Sequence, residues 1–372
     1  MRLAIFNVSH WHVPVYMPAL RDRYVRVIGV TDATEFAGQR FADELNCRLY
    51  ANDHDLMNED FDFALVFSRH SEMAALAERL ILRGTPFLIE KPCGLNLREV
   101  RGIRLLSEKH RVFVSVPFIV RVSDWVARLS PAEGLTPKGF QHLSFRFVVG
   151  PLSRYERGGC DWMLDRRHAG GGSMLNVGVH FIDLFSTLTN GPITTVSAQT
   201  RSYRLDASVE EHAVFTCSNA SGQIAVLETG YLYPSTLDDQ RDFAFSISHT
   251  SAYVRGFGEQ LLIKRRDGQP GLATTIEYNT DAFYPPFLRR SWQDLKAGRG
   301  PVAGLRSAEH AIAVVEAGYR SAHNGGTPEA VEHVCDAAPV PDRGRLCPSP
   351  IVPEDQGWPM DRPSSTATKP EK

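Results

Sequence analysis

Along the first 120 residues, short and almost wholly apolar runs at 3–6, 25–31, 63–68, 87–89 and 112–116 alternate with segments at 34–45, 71–83 and 97–109 that read as helices. An apolar run without polar alternation is a strand covered on both faces, and a 3.6-residue period is a helix with one face toward the core. Their alternation predicts parallel strands joined by crossover helices, an α/β doubly wound layout of the kind that binds dinucleotides.

After Arg121 the pattern changes. Strand-like stretches follow one another at 140–149, 194–200, 212–218, 223–230, 243–248, 252–256 and 261–264, with one strong helix at 173–188 and a late one at 305–323, whose apolar face holds Ala308, Ile312, Val315 and Tyr319. Strands at such short spacing predict a large, mostly antiparallel open sheet, hence an α+β second part whose sheet needs a cover from helices or a second subunit. From Ala337 to Lys372 prolines recur and periodicity stops, which predicts a disordered tail. The expected division is therefore 1–120, 121–330 and 337–372.

The helix at 173–188 is unusual in its polar positions. It opens on Gly170-Gly171-Gly172 and is apolar on most faces, yet Ser173, Asn176, His180, Asp183 and Thr187 fall on a single stripe. Buried polar groups must be satisfied internally or open onto a cavity. His180 is then either a core imidazole bonded to a carbonyl or a proton acceptor, with Asn176 one turn before it and Asp183 one turn after.

The carboxyl ends of the parallel strands supply the other candidates, because ligands of doubly wound sheets bind there. Lys91, in Glu90-Lys91-Pro92, leaves the strand at 87–89, and a buried lysine can share protons with a hydroxyl. After the first strand, Asn7-Val8-Ser9-His10-Trp11-His12 stands where a Gly-x-Gly-x-x-Gly turn would be expected. Asn7 can take a left-handed conformation, and the Ser9 hydroxyl can bond a phosphate oxygen in place of a glycine amide. Asp32 ends the second strand, where an acid accepts both ribose hydroxyls or caps the next helix. Glu35 would repel a 2′-phosphate, so NAD is expected rather than NADP. Ser68, Arg69 and His70 sit at the end of the third strand. Trp162 and Arg166, just before the glycines, are candidates for the floor of a sugar site. His10 and His12 have no third partner that would make a metal site, and no metal is expected.

Composition narrows the classes. The 372 residues are 43% hydrophobic and 23% charged with a formal net charge of -2, which is globular and carries no electrostatic footprint for nucleic acid. The six cysteines lack any CxxC spacing and suit free thiols. The first apolar run is too short for a secretory signal, and no segment approaches the ~20 apolar residues of a membrane span. A cytoplasmic protein without membrane contact is expected.

With Glu90-Lys91-Pro92 and the 170–183 tract in this order, the chain resembles the Gfo/Idh/MocA oxidoreductases, the family of glucose-fructose oxidoreductase and inositol dehydrogenase. The likeness extends to about residue 330 and includes Val209-Glu210-Glu211-His212 and Arg121. It implies an N-terminal Rossmann domain and a C-terminal α/β domain whose open sheet forms a homodimer or homotetramer interface. It also implies that Lys91 and His180 handle the proton, with a cis Lys91-Pro92 bond. Inositol dehydrogenase-like members carry Asp where this chain has Asn176, whereas members acting on nucleotide sugars often have Asn there.

The expected activity is NAD-dependent hydride transfer from a secondary alcohol of a sugar, cyclitol or sugar derivative. In it Lys91, His180 and Asn176 are catalytic, and Arg121, Trp162 and Arg166 join them in holding a polyol. Two alternatives stand beside it: an NAD-retaining enzyme that cleaves glycosides by transient oxidation, and a catalytically silent ligand sensor or partner-binding protein.

Overall fold

The computed structural model describes residues 1–234 and 241–332, so the expected tail and two of the six cysteines lie outside the described residues. Cys47, Cys93, Cys160 and Cys217 are all free thiols. No helix among the described residues is long and apolar enough to cross a membrane.

The first sheet comprises β1 (Arg2–Phe6), β2 (Arg26–Thr31), β3 (Arg48–Tyr50), β4 (Phe63–Val66), β5 (Phe87–Ile89) and β6 (Val114–Ser115). Its order is β3-β2-β1-β4-β5-β6 and every pair is parallel. The central strand β4 is fully buried, as is all of β1 beyond Arg2, which is why those stretches show no polar alternation. The sequence pattern missed β3, a three-residue edge strand with Arg48 exposed. The chain builds outward from β1 to β3 and then returns to place β4 on the other side of β1. That reversal opens a crevice at the carboxyl ends of β1 and β4.

The second sheet has nine strands: β7 (Phe140–Val149), β8 (Ile193–Arg201), β9 (His212–Asn219), β10 (Ile224–Gly230), β11 (Arg241–His249), β12 (Ala252–Phe257), β13 (Gln260–Arg265), β14 (Leu272–Thr275) and β15 (Glu329–Ala330). They run in the order β14-β13-β12-β11-β7-β10-β9-β8-β15, antiparallel except for the β7–β10 pair. Burial alternates along β9, β11 and β12, so the sheet is covered on one face. There Phe145, Phe147, Phe243 and Phe245 pack on Phe181 and Trp125.

Of the two late helices, the first packs beside the parallel sheet and the second joins the two sheets. Helix Tyr284–Lys296 packs on helix Val13–Leu20, its Trp292 meets Phe63 of β4, and Ser291 bonds Ser115 of β6 at 2.7 Å. Helix Leu305–His323 lies on β8 and also against helix Leu97–His110, where the buried Glu309 accepts from both Arg101 and Arg104. Two guanidinium partners offset the cost of removing that carboxylate from water.

The 170–188 tract departs from the single α-helix expected. Met174–Gly178 forms a wider π-helical turn before the α-helix Val179–Thr189 begins. An outside donor competes for the ladder there, since the Asn176 carbonyl accepts from Lys91 Nζ at 2.7 Å. The glycines have a steric reason. A Cβ on Gly172 would collide with the backbone oxygen of Glu210, and one on Gly171 with the Tyr319 hydroxyl. The closeness lets the Glu210 carboxylate accept from the amides of Gly172 (2.8 Å) and Met174 (2.9 Å) and from Tyr319 Oη (2.9 Å).

Candidate active site

The turn after β1 is built around Asn7, which adopts φ 64° as a turn glycine would. Its Nδ2 donates to Ser68 Oγ at 2.7 Å, joining the ends of β1 and β4. Asp32 serves two elements: Oδ2 accepts from the Ser9 amide at 2.6 Å, and Oδ1 accepts from the amide and hydroxyl of Thr34, both at 2.8 Å, at the entry of helix Glu35–Glu44. Arg69 is exposed and precedes helix His70–Arg83. His70 Nδ1 donates to the Ala169 carbonyl at 2.8 Å, and burial pushes its pKa down to about 4. It thus ties the β4 edge to the residue before the glycine tract.

These residues fit a dinucleotide. The strand order, the left-handed turn at Asn7 and the carboxylate at the end of β2 are the parts such a ligand needs, and the buried His10 Nε2 has no protein partner. His10 Nδ1 accepts from the His12 amide at 3.1 Å, so Nε2 is left as a donor.

Lys91 and His180 come together. With Trp11, His12, Asn176 and Tyr284 they line a cavity of about 200 Å³ that opens at the carboxyl edge of the parallel sheet. Lys91 is buried, and its peptide bond to Pro92 is cis. Its Nζ donates to both the carbonyl (2.7 Å) and Oδ1 (2.6 Å) of Asn176. Burial lowers its pKa to about 8, against the opposing pull of Glu90. His180 is likewise buried, and desolvation together with the Lys91 charge holds it well below 6.5, so the imidazole is neutral. Its Nδ1 has no protein partner.

Asn176 plays a different part from the one expected. Its Oδ1 takes Lys91 while its Nδ2 donates to Tyr155 Oη (2.8 Å) and Tyr231 Oη (3.0 Å), so both amide hydrogens are used within the protein. It positions the Lys91 ammonium rather than a substrate hydroxyl. Glu90 also turns away from any ligand: it accepts from Tyr16 Oη at 2.8 Å and lies 3.0 Å from His12 Nδ1, while His12 Nε2 meets Tyr284 Oη at 2.9 Å.

Three expected substrate contacts fall outside the cavity. Arg121 is taken by Asp183, the Val302 carbonyl and Ser307, so it locks helix Val179–Thr189 to the chain before helix Leu305–His323. Trp162 packs on His10 and His70, on the nucleotide side. Arg166 lies 4.9 Å from the Tyr319 ring, its backbone held by Ser208. Conversely, the sequence pattern passed over Arg154, Arg241, Asp281 and Tyr284, which line the cavity. Tyr231 directly follows β10 and Arg154 lies in the short helix after β7, but that these two strands are neighbours is a long-range fact no local pattern carries.

The chain belongs to the Gfo/Idh/MocA family. Residues 10–118 match the NAD-binding Rossmann fold of that oxidoreductase family and 144–253 its C-terminal domain. The first match begins after Asn7-Val8-Ser9, the altered turn. A curated relative, oxidoreductase cns1 of Cordyceps militaris, is 26% identical over 202 residues, 53% of this chain but 25% of that protein, so the match spans about a quarter of the relative. Among solved structures, GenD2 from gentamicin A biosynthesis in complex with NAD is similar at TM-score 0.76 and 19% identity, covering 90% of this chain and 97% of that one. An Agrobacterium radiobacter oxidoreductase in complex with NAD+, L-tartaric acid and magnesium gives 0.77 and 16%, covering 89% and 98%. The Caulobacter crescentus aldose-aldose oxidoreductase complexed with glycerol gives 0.74 and 18%, covering 89% and 99%. The chain thus belongs to an oxidoreductase family and carries its Rossmann fold of the NAD-binding type.

Proposed function

We propose that the protein is an NAD-dependent dehydrogenase acting on a secondary alcohol of a sugar, cyclitol or sugar derivative. One observation carries this: a lysine with a pKa of about 8 and a neutral, unpartnered imidazole share one small cavity at the carboxyl edge of the nucleotide sheet. NAD, when bound, supplies the hydride acceptor. Asn7, Ser9, Asp32, Ser68 and the His10-Trp11-His12 segment would hold it, and Glu35 favours NAD over NADP.

On the protein side, the His180 imidazole accepts the proton of the substrate hydroxyl, and its depressed basicity keeps it neutral at neutral pH. The Lys91 ammonium has three donors, two committed to Asn176, and the third stabilises negative charge developing on the same oxygen. Tyr155 and Tyr231 fix Asn176, and Asn176 fixes Lys91. The neighbours' sugar- and polyol-related names and ligands agree with this substrate class. Lys91→Met is expected to lower NADH formation about 10²–10⁴-fold and to leave NAD binding measurable; unaltered turnover overturns the assignment.

We also read 1–120 as the cofactor part and 121–330 as the substrate part, with self-association through the open face of the nine-stranded sheet. That face presents Val214, Ile224, Tyr253 and Phe257 to solvent. Sedimentation of the full chain tests it: a monomer at micromolar concentration removes this part of the proposal.

A further inference from the structure

Arg154 is a cation of the cavity that no carboxylate among the described residues touches. It sits in the short helix Ser153–Arg157 after β7, and Nη2 donates to Tyr155 Oη at 2.7 Å. Nε is buried without a partner. The guanidinium lies 5.1 Å from the Trp11 ring and 5.6 Å from that of Tyr231, and among the described residues it makes no ion pair. The carboxylate that lines the same cavity, Asp281, is engaged by Arg241 at 3.0 Å, and Arg241 also donates to Thr280 Oγ1 at 2.7 Å. Lys91 is committed to Asn176 and cannot relieve the imbalance, being a cation itself.

Aromatic faces compensate a desolvated guanidinium only in part, and a group left this way is stabilised by a ligand that brings the missing charge. We propose that Arg154 recognises a carboxylate on the substrate, so that the alcohol oxidised beside Lys91 and His180 belongs to a polyhydroxy acid, such as an aldonate or uronate, rather than to a neutral polyol. This rests on the dehydrogenase reading of the cavity. Asp281 selects the carboxylate over a phosphate ester: its oxygens line the same cavity, beside Arg241, and would face the bulkier dianion. The planar guanidinium matches a carboxylate in shape as well. A cavity of about 200 Å³ suits a single small ring or chain.

The test is calorimetric titration of the full chain loaded with NAD, comparing acids with their neutral counterparts: D-gluconate with D-glucitol, D-glucuronate with D-glucose, and L-tartrate with L-threitol. D-glucose 6-phosphate serves as the phosphate arm. At least one acid is expected to bind about tenfold or more tightly than its counterpart. Arg154→Gln should close that gap, Arg154→Lys should keep part of it, and both should retain the affinity for NAD. The proposal fails if acids and neutral compounds bind alike, if the phosphate ester alone shows a gain, or if the gap survives in Arg154→Gln. The wild-type series decides the matter even where a variant does not fold. Acid binding without any NADH formation would keep the anion site and retire the dehydrogenase reading, and NADH formation from neutral polyols alone would do the reverse.

Discussion

At the carboxyl edge of the parallel sheet, Asn7, Ser9, Asp32, Ser68 and Thr34 spend hydrogen bonds on one another. Around the cavity behind it, the buried His180 Nδ1 and Arg154 Nε stay unmatched, and Lys91 keeps one donor free. The two regions lie on the same crevice, and each contains buried polar groups. Their difference separates two uses of such groups: a largely saturated network fixes backbone shape for a ligand, while leftover capacity, that of His10 Nε2 included, marks where a ligand's own atoms are needed. Arg121 and Arg154 show the contrast in one residue type, the first bonded to Asp183, Val302 and Ser307, the second without an acid among the described residues.

This separation can be broken most directly by pairing Lys91→Met with a cofactor titration. A loss of about 10²–10⁴-fold in kcat/KM with unaltered NAD affinity keeps the regions distinct. An equal fall in both would merge them. Next in size is Gly172→Ala, whose new methyl meets the Glu210 carbonyl. Overpacking of this kind costs about 1–3 kcal/mol, read as a lower urea midpoint, and disturbance of the neighbouring turn should raise KM for the alcohol. A variant as stable as the parent would contradict the close approach.

On the nucleotide side, Asp32→Ala removes the acceptor of the Ser9 amide and should weaken NAD binding by about tenfold in calorimetry, with acid or polyol affinity in the loaded protein unchanged. The gentlest test concerns pH. The alcohol oxidation needs His180 neutral and Lys91 charged, so kcat/KM should hold through neutral pH and fall as pH rises past about 8, where the ammonium loses its proton. Asn176→Asp places a negative charge on that ammonium, favours its protonated form and should move the falling limb upward by about one pH unit. A limb that stays in place, or moves down, assigns it to another group.

Much of the first sheet was legible in the sequence because its central strands are buried on both sides and announce themselves as uninterrupted apolar runs. The three-residue β3 and the two-residue β15 carry no such signal, being polar edges fixed by their neighbours. Helix 305–323 was legible to the residue through its periodic apolar face. In the site, Lys91 and His180 could be named because each sits in a tract of distinctive local composition. The roles of Asn176 and Arg121 could not, since their partners Tyr155, Tyr231, Asp183 and Ser307 come from distant segments. Arg154 looked like any surface arginine, and only the pairing of β7 with β10 and the return of residues 280–284 enclose it.

The π-helical turn at Met174–Gly178 has a consequence for how this tract can vary. It holds one residue more than an α-turn would accommodate, and each residue of a helix turns the next by about 100°. Losing a single codon there would wind the segment into an ordinary α-turn and swing every later side chain around the axis, carrying His180 off the cavity wall. Divergence between family members should therefore proceed here by exchange of residues, with insertions and deletions confined to the loops on either side.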